Sequence, residues 1–254
     1  MTGQIHVSRP GDAIVLLEID NPPSNALAEA PRRRLEAELD AIETDHAVRA
    51  VVLTGRGKGF CSGDDLREAA ARGEGDRSSL GQFGRMLDKL ESLRVPVIGA
   101  INGHAVGGGL ELALCCDIRL AAAEARFLAA GVNVGLMASV YRLPRLVGTA
   151  AASSMILTGS AIDAARALAI GLVAEVHPRD QLLDAALELA RRIASRAPLS
   201  VEASKRMIRQ AFDLTPEAAR EASGRELRVL SRSHDHREGV AAFVAKREPL
   251  FTRS

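Results

Sequence analysis

Two glycine turns in this sequence carry the residue types needed to hold a negative charge with backbone N–H groups. The glycines at 107–109 follow the apolar run Val97–Ile101, and Gly63 follows the apolar run 50–54. The first N–H groups of a helix lack partners inside it, and glycine lets a ligand approach the main chain closely. If the two turns face one another, they form a two-donor oxyanion hole.

Other chemistries that use glycine loops fit these residues poorly. A Walker-type phosphate loop requires Lys-Ser or Lys-Thr after its glycines, and Leu110-Glu111 stands there instead. The dinucleotide fingerprint GxGxxG does not match the spacing of Gly103 and the glycines at 107–109, and the chain contains no GxSxG nucleophile elbow. A nucleotide-phosphate hydrolase is therefore only a rival hypothesis, which predicts ATP or GTP turnover.

The elements that position these turns follow from the alternation of apolar patterns. Strands are predicted at 13–19, 50–54, 97–101, 117–120 and 171–176, and helices from Asn25 onward and through residues 80–93. This alternation predicts βαβ units and an α/β core. The crossovers recur roughly every 40–50 residues, which favours a stacked or spiral core.

The last part of the chain changes character. From Gln181 onward the patterns are helical, with predicted helices at 182–193, 201–212, 216–230 and 238–244. We therefore divide the chain into a core of residues 1–195, which contains the candidate site, and a C-terminal all-helical subdomain of residues 196–254.

Composition excludes several classes of partner. The 254 residues are 47% hydrophobic and 26% charged, which is enough apolar material for a large buried core. The formal net charge is +1, and there is no Trp and one Tyr, so we expect no nucleic-acid partner. No signal-peptide core opens the chain, and polar residues interrupt the longest apolar region, so no membrane span is expected.

The cysteines and histidines do not predict a metal or redox site. Cys61, Cys115 and Cys116 have no CxxC or paired spacing and are interpreted as small core residues. His234 and His236 flank Asp235, but no second ligand cluster accompanies them. We therefore expect no metal and a cytoplasmic, reducing location.

Two longer motifs resemble those of a known family. FCSGDDL at 60–66 and INGHAVGGGLELALCCDIRLA at 101–121 resemble the crotonase superfamily, the enoyl-CoA hydratase/isomerase fold. NPPSNAL at 21–27, RLPRLVG at 142–148, LTGSAIDAARALAIGLVAEV at 157–176 and REGVAAFVAKREPLF at 237–251 extend the resemblance, in the family's order, over nearly the whole chain. The resemblance implies a crotonase-type ββα spiral core and acyl-CoA binding.

The resemblance also implies roles for single residues. The backbone N–H groups of Asp64 and Gly108 would hold the thioester oxygen and stabilise an enolate. Coenzyme A, which is part of the substrate and not a separate cofactor, would lie along residues contributed by three segments. These implied coenzyme A contacts are Ser24, Gly63, Asp64, Asp65, Leu66 and Lys246.

The catalytic carboxylates match the family only in part. Glu111 matches the first of the two glutamates of the hydratases, although a carboxylate in a first helical turn also favours the helix by itself. Gly131 stands where the second glutamate would be, and the loop after it is shorter than usual and lacks the family's Pro-Gly-x-Gly-Gly turn. Water activation and α-carbon protonation would then both fall to Glu111.

Other polar residues are weaker candidates. Asp64 and Asp65 are interpreted mainly as a loop residue and a helix cap, and His104 as a structural residue. Glu68, Glu74 and Asp76 could replace the missing acid, and they lie in or near segment 69–79, which is interpreted as a mobile surface loop.

Together these observations predict an acyl-CoA-processing enzyme. Enoyl-CoA hydration comes first, and conversion of a β,γ- to an α,β-enoyl-CoA, which needs a single base, comes second. A non-catalytic acyl-CoA-binding protein of the same fold is the alternative from another class. The family's assembly implies a homotrimer or a dimer of trimers.

Overall fold

The computed structural model describes residues 3–65, 68 and 78–254, with no account of the side chains of residues 78–80. The segment interpreted as a loop at 69–79 falls mostly outside the described residues. In the described chain, nine strands form two sheets. They are β1 (Gln4–Ser8), β2 (Ile14–Asp20), β3 (Ala50–Gly55), β4 (Val97–Ile101), β5 (His104–Val106), β6 (Ile118–Ala122), β7 (Arg126–Leu128), β8 (Ile162–Asp163) and β9 (Glu175–His177).

The main sheet has six strands in the order β1-β2-β3-β4-β6-β9. Strand β1 runs antiparallel to β2, and each other neighbouring pair in this sheet is parallel. The second sheet has the order β5-β7-β8. The sequence patterns did not predict this second sheet, because strands of two or three residues are too short to display a period-2 pattern.

The described helices surround these sheets. They are α1 (Glu29–Thr44), α2 (Ser78–Ser92), α3 (Gly108–Leu114), α4 (Arg142–Thr158, interrupted at Gly148), α5 (Ala164–Ala169), α6 (Arg179–Ala194), α7 (Pro198–Arg209), α8 (Pro216–Leu230) and α9 (His234–Ala245), with a 3₁₀ turn at Ala130–Val134. None of the described helices is both long enough and apolar enough to cross a bilayer.

The central strands are buried on both faces, which explains their continuous apolar sequences. On β3, Val51 and Leu53 face the larger core, whereas Ala50 and Val52 face a second core. Helix α6 covers that second face with its own apolar stripe. Every residue of β3 and β4 is buried. The sheet is therefore a rigid platform, and β3 and β4 both lead into the candidate site.

Two predicted boundaries are wrong. Asn25 does not start a helix, because it lies in a turn at φ +56°. Its side-chain Nδ2 donates to the carbonyl oxygens of Arg56 and Gly59. Helix α1 begins instead at Glu29. The strand predicted at 171–176 is paired only over Glu175–His177, because Gly171 adopts φ +76° in a turn.

The C-terminal helices contact the core through buried charges. On α7, Lys205 donates to Asp117 at 2.7 Å and to the Val95 carbonyl at 2.9 Å. Glu202, on the same helix, pairs with Arg94 at 2.8 Å and with Arg253 of the C-terminal segment at 2.9 Å. These pairs tie residues near the chain end to the loop that precedes β4.

Candidate active site

The two glycine turns pack directly against each other. A Cβ added to Gly63 would lie 2.6 Å from the backbone nitrogen of Gly108, and one added to Gly108 would lie 3.1 Å from the Cα of Gly63. Gly63 also adopts φ +88°, a conformation that side chains rarely tolerate. The structure thus brings Asp64 and Gly108, the two predicted oxyanion donors, to adjoining turns.

Backbone hydrogen bonds fix this arrangement. The N–H groups of Phe60 and Cys61 both donate to the His104 carbonyl, and Val106 N–H donates to the Cys61 carbonyl at 3.0 Å. On the other side of the turn, Leu27 N–H donates to the Gly63 carbonyl at 2.7 Å. The segment that carries Asp64 is therefore held between α1's leading residues and β5.

The second turn is shaped by the glycines before α3. Gly107 adopts φ +54° and ψ −116°, and its N–H donates to the Leu128 carbonyl at 2.9 Å. A Cβ on Gly109 would lie 1.9 Å from the Cys61 carbonyl oxygen, so no side chain fits there. Gly108 opens the helix, and the ring of Phe83 from α2 lies against it. An N–H at the first position of a helix has no partner within that helix.

The side chain of Asp64 is paired with an arginine that the sequence analysis did not identify. Arg32 is 4% exposed, and its Nη1 donates to Oδ1 of Asp64 at 3.0 Å. Its Nε and Nη2 atoms are buried with no hydrogen-bond partner among the described residues. The signal was present in the sequence, because residue 32 falls three positions before Leu35 on the apolar face of α1.

Glu111 lies one turn into α3 and is half-buried. Its Oε2 accepts from Nη1 of Arg142 at 3.3 Å. Arg142 also donates to Glu91 at 2.8 and 3.0 Å and to Asp88 at 2.9 Å. Partial burial opposes the charge of Arg142, but the anionic groups around it raise the pKa of its guanidinium above the ordinary value, so it is cationic at any working pH.

Gly131 is buried inside the 3₁₀ turn. A Cβ there would lie 2.8 Å from the Leu136 carbonyl oxygen and 2.9 Å from the backbone nitrogen of Ala138. The Gly131 carbonyl itself accepts from Leu136 N–H at 2.8 Å, so the loop closes back over this position. No side chain of any kind fits at residue 131 without movement of that loop.

The predicted coenzyme A contacts are only partly brought together. The hydroxyl of Ser24 accepts from Ser62 at 2.9 Å, which places Ser24 beside Gly63 and Asp64. Asp65 continues the same turn, and Leu66 lies outside the described residues. Lys246 is exposed and ends α9 at φ +52°, and in the described structure no contact joins it to the other predicted site residues.

The weaker candidates have structural partners where the structure describes them. Glu68 accepts from the backbone N–H of Glu29 at 3.0 Å at the start of α1, and Glu74 and Asp76 lie outside the described residues. The His104 side chain is exposed. Asp235 accepts from the backbone N–H groups of Thr252 and Arg253, and no cluster of three metal-ligating side chains occurs among the described residues.

Two cysteines lie close to the site and are chemically quiet. Complete burial raises the pKa of Cys61 to about 12. Burial likewise raises the pKa of Cys115 well above the usual value, against the opposing effect of Arg142. Since the thiolate is the reactive form, both cysteines act as packing residues.

The chain is similar to known enoyl-CoA hydratases along most of its length. A family model for enoyl-CoA hydratase/isomerase matches residues 9–254. The chain is 36% identical to the 2,3-dehydroadipyl-CoA hydratase of Escherichia coli K12 over 94% of each protein. It is 35% identical to a probable enoyl-CoA hydratase of Bacillus subtilis, over 94% of this chain and 95% of that protein.

A solved structure agrees with these relatives. The crystal structure of an enoyl-CoA hydratase from Bacillus anthracis superposes with a TM-score of 0.96 at 32% identity, covering 99% of this chain and 100% of that one. The crotonase resemblance and the α/β fold class are thereby confirmed. The chain belongs to the enoyl-CoA hydratase/isomerase family and is an enzyme of that acyl-CoA-processing family.

Proposed function

We propose that this enzyme hydrates the double bond of an enoyl-CoA thioester. The observation that carries the proposal is the direct packing of the Gly63 turn on the Gly108 turn, with Glu111 one helical turn further along α3. The candidate donors thus lie on two turns in contact, and the carboxylate belongs to the helix that one of these turns opens. Hydratase names among relatives that share about a third of their residues with this chain support the choice of reaction.

The two backbone donors supply the electrostatic part of the mechanism. The N–H groups of Asp64 and Gly108 donate to the thioester oxygen, on which negative charge develops as the enolate forms. Donors held in place before the reaction need no reorganisation when the charge appears, and one such donor is typically worth a factor of about 100 to 1,000 in rate. Their rigidity follows from the glycine packing described above.

Glu111 supplies the proton chemistry. In hydration, the carboxylate takes a proton from water as the water oxygen bonds to the β carbon, and the α carbon of the enolate then receives a proton. Because Gly131 carries no side chain, we assign both transfers to Glu111. The product is a 3-hydroxyacyl-CoA, and the reaction needs no cofactor beyond the coenzyme A portion of the substrate.

Isomerisation is the second candidate, and the closed loop over Gly131 favours it specifically. Moving a β,γ double bond into conjugation removes a proton from the α carbon and returns one to the γ carbon. A single carboxylate performs both steps, and the same oxyanion hole holds the dienolate. A site with one glutamate therefore meets all the demands of this reaction.

The proposal is tested by assaying the purified protein with crotonyl-CoA and with a 3-enoyl-CoA. We expect turnover of at least one of them, and a loss on the order of 100- to 10,000-fold in kcat for Glu111→Gln, since general acid–base catalysis has this magnitude. Glu124→Gln is the matched control, because Glu124 is 59% exposed and pairs only loosely with Arg179 at 3.8 Å. Its kcat should equal that of the wild type.

The negative outcomes separate the alternatives. Absence of turnover across a broad panel of acyl-CoA esters, with micromolar binding retained, would refute both reactions and support a non-catalytic acyl-CoA-binding protein. Turnover that Glu111→Gln leaves unchanged would refute the assignment of Glu111. Hydrolysis of ATP or GTP would favour the rival outside the family.

The remaining expected coenzyme A contacts are proposed on the same basis. Ser24, Gly63, Asp64 and Asp65 are contiguous in the described structure and would follow the coenzyme A moiety. Leu66 and Lys246 are proposed from the family resemblance alone. Lys246→Ala should raise KM for the thioester, and an unchanged KM would remove Lys246 from the site.

We also propose that the protein is a homotrimer or a dimer of trimers, with the subdomain of residues 196–254 at the interfaces. This subdomain exposes large apolar side chains, among which Phe243 is 86% exposed and Leu227 is 64% exposed. Size-exclusion chromatography with light scattering measures the assembly, and Phe243→Asp should shift it toward monomer. A wild-type monomer would refute the proposal. A cytoplasmic location stays a prediction, in line with three free, buried thiols.

A further inference from the structure

Arg142 connects the candidate acid/base to a second helix. It is the first residue of α4, its side chain is 16% exposed, and it contacts carboxylates from two other helices. Glu91 and Asp88 belong to α2, and Glu111 belongs to α3. One guanidinium therefore joins three helices, and one of them carries the candidate acid/base.

The distances show how the guanidinium is oriented. Its Nε and Nη2 atoms both donate to Oε2 of Glu91, at 3.0 and 2.8 Å, and Nη2 also donates to Asp88 at 2.9 Å. Because the guanidinium is planar, engaging one edge fixes the direction of the remaining nitrogen. That nitrogen, Nη1, donates to Glu111 at 3.3 Å.

Only one oxygen of Glu111 is used in this way. Oε2 accepts from Arg142, whereas no described residue donates to Oε1. The carboxylate is therefore held by one oxygen, and the other is left for the substrate. Among the described residues, no other side chain donates to Glu111.

We propose that Arg142 is the positioning residue of Glu111, and that Glu91 anchors Arg142 for this purpose. Arg142 holds Oε2 so that Oε1 carries the proton to and from the substrate. The inference rests on the proposed function, since it assumes that Glu111 moves a proton. Asp88 also accepts from Nη2, but its side chain is 75% exposed, so solvent screens this contact and it contributes little to the orientation.

The test uses two neutral substitutions at the same guanidinium. Glu91→Gln and Asp88→Asn each remove one negative charge next to Arg142, so general electrostatic effects are matched. Glu91→Gln should lower kcat on the order of 10- to 100-fold, with KM within about twofold, because small misplacements of a reacting group carry penalties of this size. Asp88→Asn should leave kcat and KM unchanged.

Arg142→Lys completes the series. It keeps the charge and loses the planar fork, so kcat should fall as in Glu91→Gln, with thermal stability close to that of the wild type. A merely structural role, in which Arg142 only ties α4 to α2, predicts lower stability and weaker acyl-CoA binding with kcat retained. Retained kcat in Arg142→Lys and Glu91→Gln, or an equal loss in Asp88→Asn, overturns the inference.

Hydrogen–deuterium exchange at the α carbon of a bound saturated acyl-CoA separates this inference from the proposed function. Exchange that requires Glu111 and slows in Arg142→Lys supports the inference whatever the net reaction is. Exchange that requires Glu111 but is unaffected in Arg142→Lys overturns only the inference. Absence of both exchange and turnover in the wild type overturns the role of Glu111 and the inference with it.

Discussion

The two halves of the candidate site are built by different means. The oxyanion half, formed by the Gly63 and Gly108 turns, consists of backbone held by backbone, with glycines in contact and hydrogen bonds to His104 and Leu27. The acid/base half, formed by Glu111, Arg142 and the 3₁₀ turn at Gly131, consists of side chains and their ion pairs.

The difference shows where this fold permits change. A Cβ at Gly63 would meet main-chain atoms of Gly108 and Val106, and one at Gly109 would meet the Cys61 carbonyl, so the oxyanion half admits few substitutions. In the acid/base half, an ion pair can be gained or a carboxylate lost while the sheets stay intact.

The largest expected effect is a loss of activity when the oxyanion half is disturbed. Gly63→Ala places a methyl group 2.6 Å from the Gly108 nitrogen and should lower kcat/KM by a factor of about 100 to 1,000, the value of one oxyanion donor. Gly57→Ala is the matched control, since Gly57 also has positive φ, +74°, but nothing lies within 4 Å of its Cβ position. Steady-state kinetics on both variants measures the difference.

Equal losses in the two variants would mean that backbone strain, and not contact between the turns, explains the effect. Gly57→Ala should lose about 1–2 kcal/mol of stability, because a residue with a Cβ is disfavoured at positive φ. Gly63→Ala should lose more, because its methyl group also overlaps the backbone of Gly108.

The next largest effect is a loss of stability when the Arg32–Asp64 ion pair beside the Gly63 turn is broken. Asp64→Ala keeps the backbone donor but leaves the 4%-exposed Arg32 without its carboxylate, so the free energy of unfolding should fall by about 3 kcal/mol. The double variant with Arg32→Leu should recover most of that loss, because an apolar pair suits a buried position. Urea denaturation of the single and double variants measures the coupling. Additive losses would show that the pair does not act as a unit.

A smaller effect is expected at Gly131. Gly131→Ala should destabilise the protein by about 1–3 kcal/mol through overpacking against Leu136 and Ala138. Gly224→Ala, in α8, is the control: its Cβ would meet only the Arg228 side chain at 3.6 Å, and replacement of glycine within a helix should stabilise by about 0.5–1 kcal/mol. Gly131→Glu should not raise hydration relative to isomerisation. A large rise would mean that the loop opens readily.

The smallest expected effect is a difference in thiol reactivity between the two halves, which reports on how tightly each half is packed. Cys61 lies under the glycine turns, whereas Cys115 and Cys116 line an open groove of about 900 Å³ between the core and α7. All three should resist a thiol reagent at neutral pH in the native protein, and Cys115 or Cys116 should react before Cys61 as pH rises. Mass spectrometry of the labelled peptides gives the order, and earlier labelling of Cys61 would contradict the rigidity assigned to the oxyanion half.

The buried thiol of Cys61 should make the folded protein less stable at high pH. Burial raises the folded-state pKa of Cys61 to about 12. The ordinary pKa of a cysteine thiol is 9.0, so the stabilisation is complete below about pH 9 and is lost as pH rises toward 12. The midpoint temperature of thermal unfolding should fall between these pH values. In Cys61→Ser, the decrease of the midpoint with pH should be smaller.

Structural elements that depend on residues close together in the sequence were predicted well. The strands β2, β3 and β4, the helices of the C-terminal part and the two glycine turns all follow from local patterns, and the glycine motifs were enough to identify the family. Glu111 was assigned as the acid/base from its motif, and this role stays a prediction. The second sheet and the start of α1 were missed, because their local patterns are short or ambiguous.

The sequence by itself therefore determined the family, the main elements and the candidate oxyanion and acid/base residues. The tertiary structure decided how Glu111 and Asp64 are held, since Arg142 is 31 residues from Glu111 and 51 from Glu91, and Arg32 is 32 residues from Asp64. It also decided that residue 131 has no room for a side chain. The physical reason is that hydrogen bonding and helical periodicity act between near neighbours, whereas ion pairs and close packing depend on how distant segments meet.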